Sequence, residues 1–188
     1  MLLNSSLRSN VALCCLLAPF GCSEDPPATA PAEAPPQAAE APKAAAPLSP
    51  AETYERQAKA LMAAIKAPSD DATVLGLADE LTKTGLGFLS IVEEKHPVCK
   101  EYLAAVAAVG LSLKTLPLEA IETGYHADGK LPKIPDPNCY HGKDLVVHPA
   151  TVAAMATLGI EGDEGREAAL DEITEVLGHL SVLSLKEE

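Results

Sequence analysis

The 188-residue sequence contains no apolar run long enough to cross a membrane, which takes about 20 residues. Positive charge is also scarce, because 14 Lys and Arg stand against 27 Asp and Glu, for a formal net charge of −13. Such a surface repels nucleic acid and anionic lipid headgroups, so we expect no nucleic-acid partner. The motifs G-x-S-x-G and H-E-x-x-H and a glycine-rich phosphate loop are absent too, so no catalytic signature indicates an enzyme.

The N-terminal segment has the features of an export signal. Arg8 supplies a basic start, and an apolar run follows at residues 11–20. Its length lies within the roughly 7–15 residues of a signal-peptide core and is too short for a membrane span. We therefore predict a signal peptide at residues 1–21.

Gly21 and Cys22 close this segment, and a small residue directly before a cysteine resembles the lipobox of bacterial lipoproteins. Pro19 and Phe20 stand where that family prefers Leu and a small or β-branched residue. The resemblance implies cleavage after residue 21 and a diacylglycerol on the Cys22 sulfur, which would anchor the protein in a lipid bilayer. The alternative is a secreted protein that is cut nearby.

The location implied by the resemblance is the bacterial cell envelope. Ser23 follows the lipidated position in place of an aspartate, which in the enteric sorting rule corresponds to the outer membrane. Removal of residues 1–21 takes away one base, Arg8, and no acid, so the net charge changes from −13 to −14. We expect an acidic lipoprotein that faces the periplasm or the cell surface.

A linker separates the predicted anchor from the folded part. Residues 22–49 follow the cleavage site, and in residues 23–50 Ala and Pro account for 18 of 28 positions, without apolar periodicity. Proline-rich chain is extended and semi-rigid, at about 3.1 Å per residue, so the tether would reach roughly 80 Å. We predict a disordered spacer at 22–49 and one folded domain at 50–188.

The five cysteines divide into groups. Cys14 and Cys15 lie in the signal peptide, and Cys22 is the predicted lipid attachment site. Cys99 and Cys139 then remain, and a pair in an oxidising compartment indicates a disulfide. Such a bond would close a 40-residue loop and stabilise the domain by about 4 kcal/mol. The alternative is two free thiols.

The folded part has the periodicity of an all-α protein. Apolar residues recur at spacings of three and four, and the cap patterns Ser49-Pro50-Ala51-Glu52 and Ser69-Asp70-Asp71 open the first two helices. We predict an antiparallel four-helix bundle with extra short helices and one long loop pinned by the disulfide. The four long helices are expected to begin near residues 50, 70, 98 and 163, and short helices near Pro117 and Pro149.

The long loop, residues 125–148, is the first place to look for a site, because loops of this length in compact domains are usually functional or disordered. Three histidines flank or lie in it, His126, His141 and His148, and Asp128, Asp136 and Asp144 stand among them. Imidazole with carboxylate suits zinc, copper or nickel. The spacings match no compact ligand pattern, so His148 as a cap for a helix at Pro149 remains an alternative.

Haem is a separate possibility for a helical bundle. No C-x-x-C-H motif is present, which excludes covalent c-type attachment. Met62 and His179 could supply a b-type ligand pair. At 1.5 Å per residue, however, their positions along the bundle axis would differ by roughly 9 Å. We therefore expect no haem.

The sequence thus predicts a membrane-anchored envelope lipoprotein that acts by binding, with no cofactor and an unknown partner. One alternative is a metal- or cofactor-binding bundle that uses the histidines of residues 125–148. Another is a small periplasmic enzyme, for which an acid–base cluster at Glu119, Glu122 and His126 would be the candidate.

Metabolic labelling with a palmitate analogue tests the anchor. We expect the wild-type protein to take up the label in a bacterial host and Cys22→Ala to take up none, because the Cys22 sulfur is the predicted attachment point. An unlabelled wild type would instead indicate a protein that is secreted without a lipid.

Overall fold

The computed structural model describes residues 47–67 and 69–183 of the chain. These residues form six α-helices and no strand, which confirms the all-α prediction. The helices are α1 (Pro50–Lys66), α2 (Asp71–Lys95), α3 (Lys100–Val109), α4 (Leu118–Ile121), α5 (Pro137–Leu158) and α6 (Gly162–Val182). The predicted signal peptide, Cys22 and the linker up to residue 46 lie outside the described residues and stay predictions.

The first two helices begin where their cap patterns predict. Ser49 and Glu52 form a capping box, in which the Ser49 hydroxyl accepts from the Glu52 N–H at 3.3 Å and the Glu52 carboxylate accepts from the Ser49 N–H at 2.8 Å. The Asp70 carboxylate accepts from the Thr73 N–H at 2.8 Å. These contacts satisfy N–H groups that have no partner inside the helix, so they fix each helix start.

α1, α2, α5 and α6 form a four-helix bundle in which each helix packs against two others. Neighbours are antiparallel. Arg166, at the start of α6, donates to the Ile65 carbonyl at the end of α1 at 3.3 Å, and Gly142, early in α5, packs against Val92, late in α2. None of the helices in the described part combines the length and apolar character of a membrane span.

The identity of the third long helix differs from the prediction. Residues 98–114 form the short α3 between two 3-10 segments, and the bundle position is taken by α5. The predicted loop at 125–148 is therefore wrong over most of its length, and only residues 127–136 are irregular. Asp136 caps α5 by accepting from the Asn138 N–H at 2.8 Å, and Pro137 occupies its first position. Proline and aspartate here start a helix instead of prolonging a loop.

Pro149 lies inside α5 rather than at its start. Proline has no N–H to donate to the carbonyl four residues earlier, so the Leu145 carbonyl lacks its helical partner. The Tyr54 hydroxyl of α1 donates to that carbonyl at 2.7 Å. Gly85 of α2 lies against the same oxygen, and a Cβ at that position would clash with it. The bundle thus accommodates the proline through two neighbouring helices.

The predicted disulfide is confirmed. Cys99 and Cys139 are bonded and fully buried, and they join the 3-10 turn before α3 to the first turn of α5. The bond therefore holds the N-terminal end of α5 beside α3.

Tyr54→Phe should lower the free energy of unfolding by about 1–3 kcal/mol, because it leaves the buried Leu145 carbonyl without a donor. Urea denaturation measures the change. Tyr125→Phe is the matched control, since the Tyr125 ring is also buried and its hydroxyl makes no hydrogen bond within the described residues. Equal stability of the two variants would contradict the role of Tyr54.

Cys99→Ala should lower the melting temperature by about 5 °C or more, because loss of a native disulfide typically costs about 2–5 kcal/mol. Reductant should lower the melting temperature of the wild type and leave that of the variant unchanged. Mass mapping that found two free thiols in the wild type would refute the bond.

Candidate metal centre

Two facing helices carry the same polar pattern. α5 carries His141, Asp144 and His148, and α6 carries Glu172, Glu175 and His179, so each triplet has spacings of three and four. Residues three and four apart share one face of a helix. Since α5 and α6 are neighbours that run in opposite directions, each triplet meets the other in reverse order.

The centre of this arrangement contains two carboxylates and two imidazoles. Asp144 Oδ2 lies 3.5 Å from His179 Nε2, and Asp144 Oδ1 lies 4.0 Å from His148 Nε2. Glu175 Oε2 lies 3.6 Å from His148 Nε2. The donor atoms of Asp144, His148 and His179 all lie within 4.8 Å of one another. Asp144 and His148 are buried, whereas 64 % of the Glu175 side chain is exposed at the rim.

The first residue of each triplet contacts the last residue of the other triplet: Glu172 contacts His148, and His141 contacts His179. His148 Nδ1 lies 2.6 Å from Glu172 Oε2, and His179 Nδ1 lies 2.8 Å from His141 Nδ1. With a proton on Nδ1, His148 donates to Glu172 and keeps a lone pair on Nε2. His179 can donate from Nδ1 to His141 in the same way. Both Nε2 atoms then face the central carboxylates as acceptors, which is how metal-binding histidines are oriented.

The atoms at the centre lack hydrogen bonds. Four buried side-chain atoms in the described part of the chain have no hydrogen-bond partner, and three of them are here: both oxygens of Asp144 and Nε2 of His148. The Lys143 ammonium lies 3.4 Å from Asp144 Oδ1 as an ion pair. Buried polar atoms are nearly always hydrogen-bonded, and leaving one unpaired costs about 1–3 kcal/mol. Three such atoms lie close together here, among side chains that could hold a metal ion.

The surroundings shift the pKa values of the two central histidines, His148 and His179, in opposite directions. Burial, together with the nearby positive charges of the neighbouring histidines and Lys143, lowers the pKa of His179 to about 4, so this ring is neutral at physiological pH. Burial alone would lower the pKa of His148, but the hydrogen bond to Glu172 and the nearby carboxylates raise it above its usual value. Burial also raises the pKa of Asp144, against the opposing effects of Lys143 and His148. A cation bound here would compete with the proton on His148.

His126 lies beside this centre on the π-helical turn Glu122–His126 that follows α4. Its ring centroid is 4.8 Å from that of His148, and its Nε2 lies 3.0 Å from Thr151 Oγ1. The Thr151 hydroxyl donates to the Val147 carbonyl, so its oxygen accepts from His126 Nε2–H. His126, His148 and Glu172 are also close enough to share an ion. Their facing atoms already have hydrogen-bond partners, so this set is the weaker candidate.

The three histidines that the sequence singled out lie in one region. His148 faces the centre, His141 holds His179, and His126 packs against the edge. Asp144 is central, whereas Asp128 pairs with Tyr102 and Lys143, and Asp136 caps α5. His148 is not a helix cap, because it lies inside α5.

Glu172 and Glu175 of α6 were missed, and His179 was considered only as a haem ligand with Met62. The signal that would have found them is the repeat of the same three-and-four spacing on two helices. It is visible only when residues 137–158 are recognised as helical.

Comparison with known proteins finds no match to this chain among family models, curated proteins or solved structures. The geometry of the α5–α6 centre is therefore the evidence on which a function can be argued.

Proposed function

We propose that this protein is an envelope lipoprotein whose helical domain binds one divalent first-row transition-metal ion between α5 and α6. The ligands are Asp144, His148 and His179, and Glu175 completes a set of two nitrogens and two oxygens at the rim. The observation that carries this proposal is the convergence of three buried side-chain atoms of Asp144 and His148 that have no hydrogen-bond partner among the described residues.

The distances suit such an ion. Zinc binds imidazole nitrogen and carboxylate oxygen at about 2.0–2.2 Å, so two ligands at a tetrahedral angle lie about 3.4 Å apart. The neighbouring donor pairs of the centre are 3.5, 3.6 and 4.0 Å apart. Small side-chain movements would bring Asp144, His148 and His179 around one ion, and the exposed Glu175, 3.6 Å from His148 Nε2, would move in from the rim as the fourth ligand. Glu172 and His141 supply the outer hydrogen bonds that orient the two imidazoles.

The ligand types narrow the class of metal. Imidazole favours zinc, copper, nickel or iron, whereas an all-oxygen set would favour magnesium or calcium. The two cysteines of the described part are bonded to each other, so they provide no soft thiolate ligand for Cu(I). Among divalent ions the general order of affinity places Cu(II) highest, with Zn(II) and Ni(II) below it. Zinc and Cu(II) are the first ions to test.

The anchored location is the second part of the proposal. It is supported by the signal-length apolar run before Cys22 and by the Ala- and Pro-rich sequence after it. The pairing of Cys99 with Cys139 also leaves Cys22 as the one further cysteine of the proposed mature chain. The tether would hold a metal-binding domain at a distance from an outer-membrane anchor.

Metal binding is tested on untagged protein from residue 22 onward, with Cys22→Ser to keep it in solution. We expect one equivalent of Zn²⁺ or Cu²⁺ by calorimetry and by mass spectrometry. Asp144→Asn should weaken binding about 100-fold or more, because it removes the buried anionic ligand. Glu172→Gln should weaken it about 10–100-fold through the orientation of His148.

Asp171→Asn is the matched control, because Asp171 is the exposed neighbour of Glu172 on α6 and should leave the affinity unchanged. Metal at about 100 times its dissociation constant should stabilise the wild type by about 2.7 kcal/mol and stabilise Asp144→Asn far less. If the wild type binds none of zinc, copper, nickel or cobalt, the centre is a protonated ion-pair cluster instead.

A further inference from the structure

Lys143 is a fully buried lysine next to the centre, which is rare for a residue of this type. Its ammonium donates to the His126 carbonyl at 2.8 Å and lies 3.3 Å from Asp128 Oδ1 and 3.4 Å from Asp144 Oδ1. It also lies 4.6 Å from the centroid of the Tyr140 ring. A single positive charge is therefore held between two carboxylates in the interior of the domain.

The two carboxylates depend on this charge to different degrees. Asp128 also accepts a hydrogen bond from the Tyr102 hydroxyl at 2.6 Å and is partly exposed. Asp144 is almost fully buried, and apart from the ion pair with Lys143 its oxygens have no partner with good hydrogen-bond geometry in the part of the chain that the structure describes. An uncompensated buried carboxylate is very costly, so the Lys143 ammonium is the main fixed counter-charge of Asp144.

We infer that Lys143 is a built-in counter-cation that competes with a metal ion for Asp144 and so weakens the affinity of the centre. This inference rests on the proposed metal-binding function and adds its regulation. Lys143 approaches Oδ1 of Asp144, and the imidazoles of His148 and His179 approach the two oxygens from the side of the centre. An ion bound between them would share the carboxylate with the ammonium. The two positive charges repel each other strongly, because little water separates them.

The consequence is a centre that binds metal reversibly. Without metal, the Asp144 charge remains compensated, so the domain does not need the ion to bury this carboxylate. With metal, the ammonium opposes the ion. Glu175, the one ligand that is mostly exposed, offers the route by which an ion enters and leaves. These properties fit a domain that takes up and releases metal rather than one that keeps a permanent structural ion.

The test compares Lys143→Met with wild type in the protein from residue 22 onward, by competitive Zn²⁺ titration and by melting in EDTA and in saturating zinc. We expect Lys143→Met to tighten zinc binding at least tenfold and to lower the melting temperature in EDTA. The difference in melting temperature between zinc and EDTA should widen. A purely structural Lys143 would instead give a less stable protein that binds zinc more weakly, which would overturn the inference.

Asp128→Asn is a second test variant, for which we expect the opposite change in zinc affinity. Asp128 has a φ of 58°, a conformation that asparagine also tolerates, and an amide oxygen can still accept from Tyr102. Loss of the Asp128 charge leaves Lys143 to pair with Asp144 alone, so zinc binding should weaken several-fold. Unchanged or tighter binding would contradict the competition.

Lys130→Met is the control for loss of one positive charge, because Lys130 is exposed on the segment before α5. It should change zinc affinity less than about twofold, since solvent screens its charge. If wild type binds zinc and Lys143→Met does not tighten it, the inference fails and the metal site stands. If neither protein binds zinc, copper, nickel or cobalt, both the inference and the proposed function fail.

Discussion

The carbonyl of Leu145 is the point on which the arrangement of this domain depends. Pro149 removes its helical partner, and a helix interior without compensation would kink or break there at a cost of about 3 kcal/mol or more. The Tyr54 hydroxyl from α1 and the close approach of Gly85 from α2 compensate in this bundle. α5 therefore continues through the proline. Because Asp144 and His148 lie immediately before Leu145 and Pro149, the same contact keeps both residues on the face toward α6.

The centre buries polar atoms without hydrogen bonds, whereas the rest of the bundle is stabilised by burial of apolar side chains. The core around it is apolar, yet a carboxylate without hydrogen bonds and a bare imidazole nitrogen are buried at its edge. Natural proteins tolerate such departures mainly at functional sites, where other contacts hold the strain. Here the holding contacts are identifiable. Glu172 and His141 orient the imidazoles, and the disulfide at Cys139 secures the helix end that carries His141.

The sequence predicted the parts of this structure that depend on local signals. The capping box at Ser49 and the aspartate cap at Asp70 locate α1 and α2, because their hydrogen bonds involve neighbouring residues. The disulfide was predictable because only Cys99 and Cys139 remain once the three N-terminal cysteines are assigned to the signal peptide and the lipid. The sequence predicted only the part of α5 after Pro149 as helical and missed residues 137–148, because the helix is buried on nearly every side between residues 142 and 154. A helix of this kind has no apolar stripe, so periodicity does not reveal it, and its prolines were taken as boundaries.

The centre could be predicted only in part, for the same reason. His126, His141 and His148 were grouped by their nearness in the sequence, and the fold does bring them to one region. The facing triplet on α6 is 24 to 38 residues away from its partners on α5. Recognising it requires knowing that α5 is one helix and that α6 packs against it. Polar spacings of three and four carry meaning only after both helices and their contact are known.

The charges of the proposed protein act on a metal ion in opposite directions at long and short range. The formal net charge of −13 attracts cations and would raise their concentration at the surface, which would favour rapid capture. Lys143, next to the centre, would oppose an ion bound at Asp144. The apolar core built by α1, α2, α5 and α6 is formed by contacts that do not involve the centre. We therefore expect the bundle to fold without metal, unlike small zinc domains whose folding depends on the ion. An ion in this centre would act as a ligand that is gained and lost, and Asp144 is the residue at which protein charge and metal charge compete.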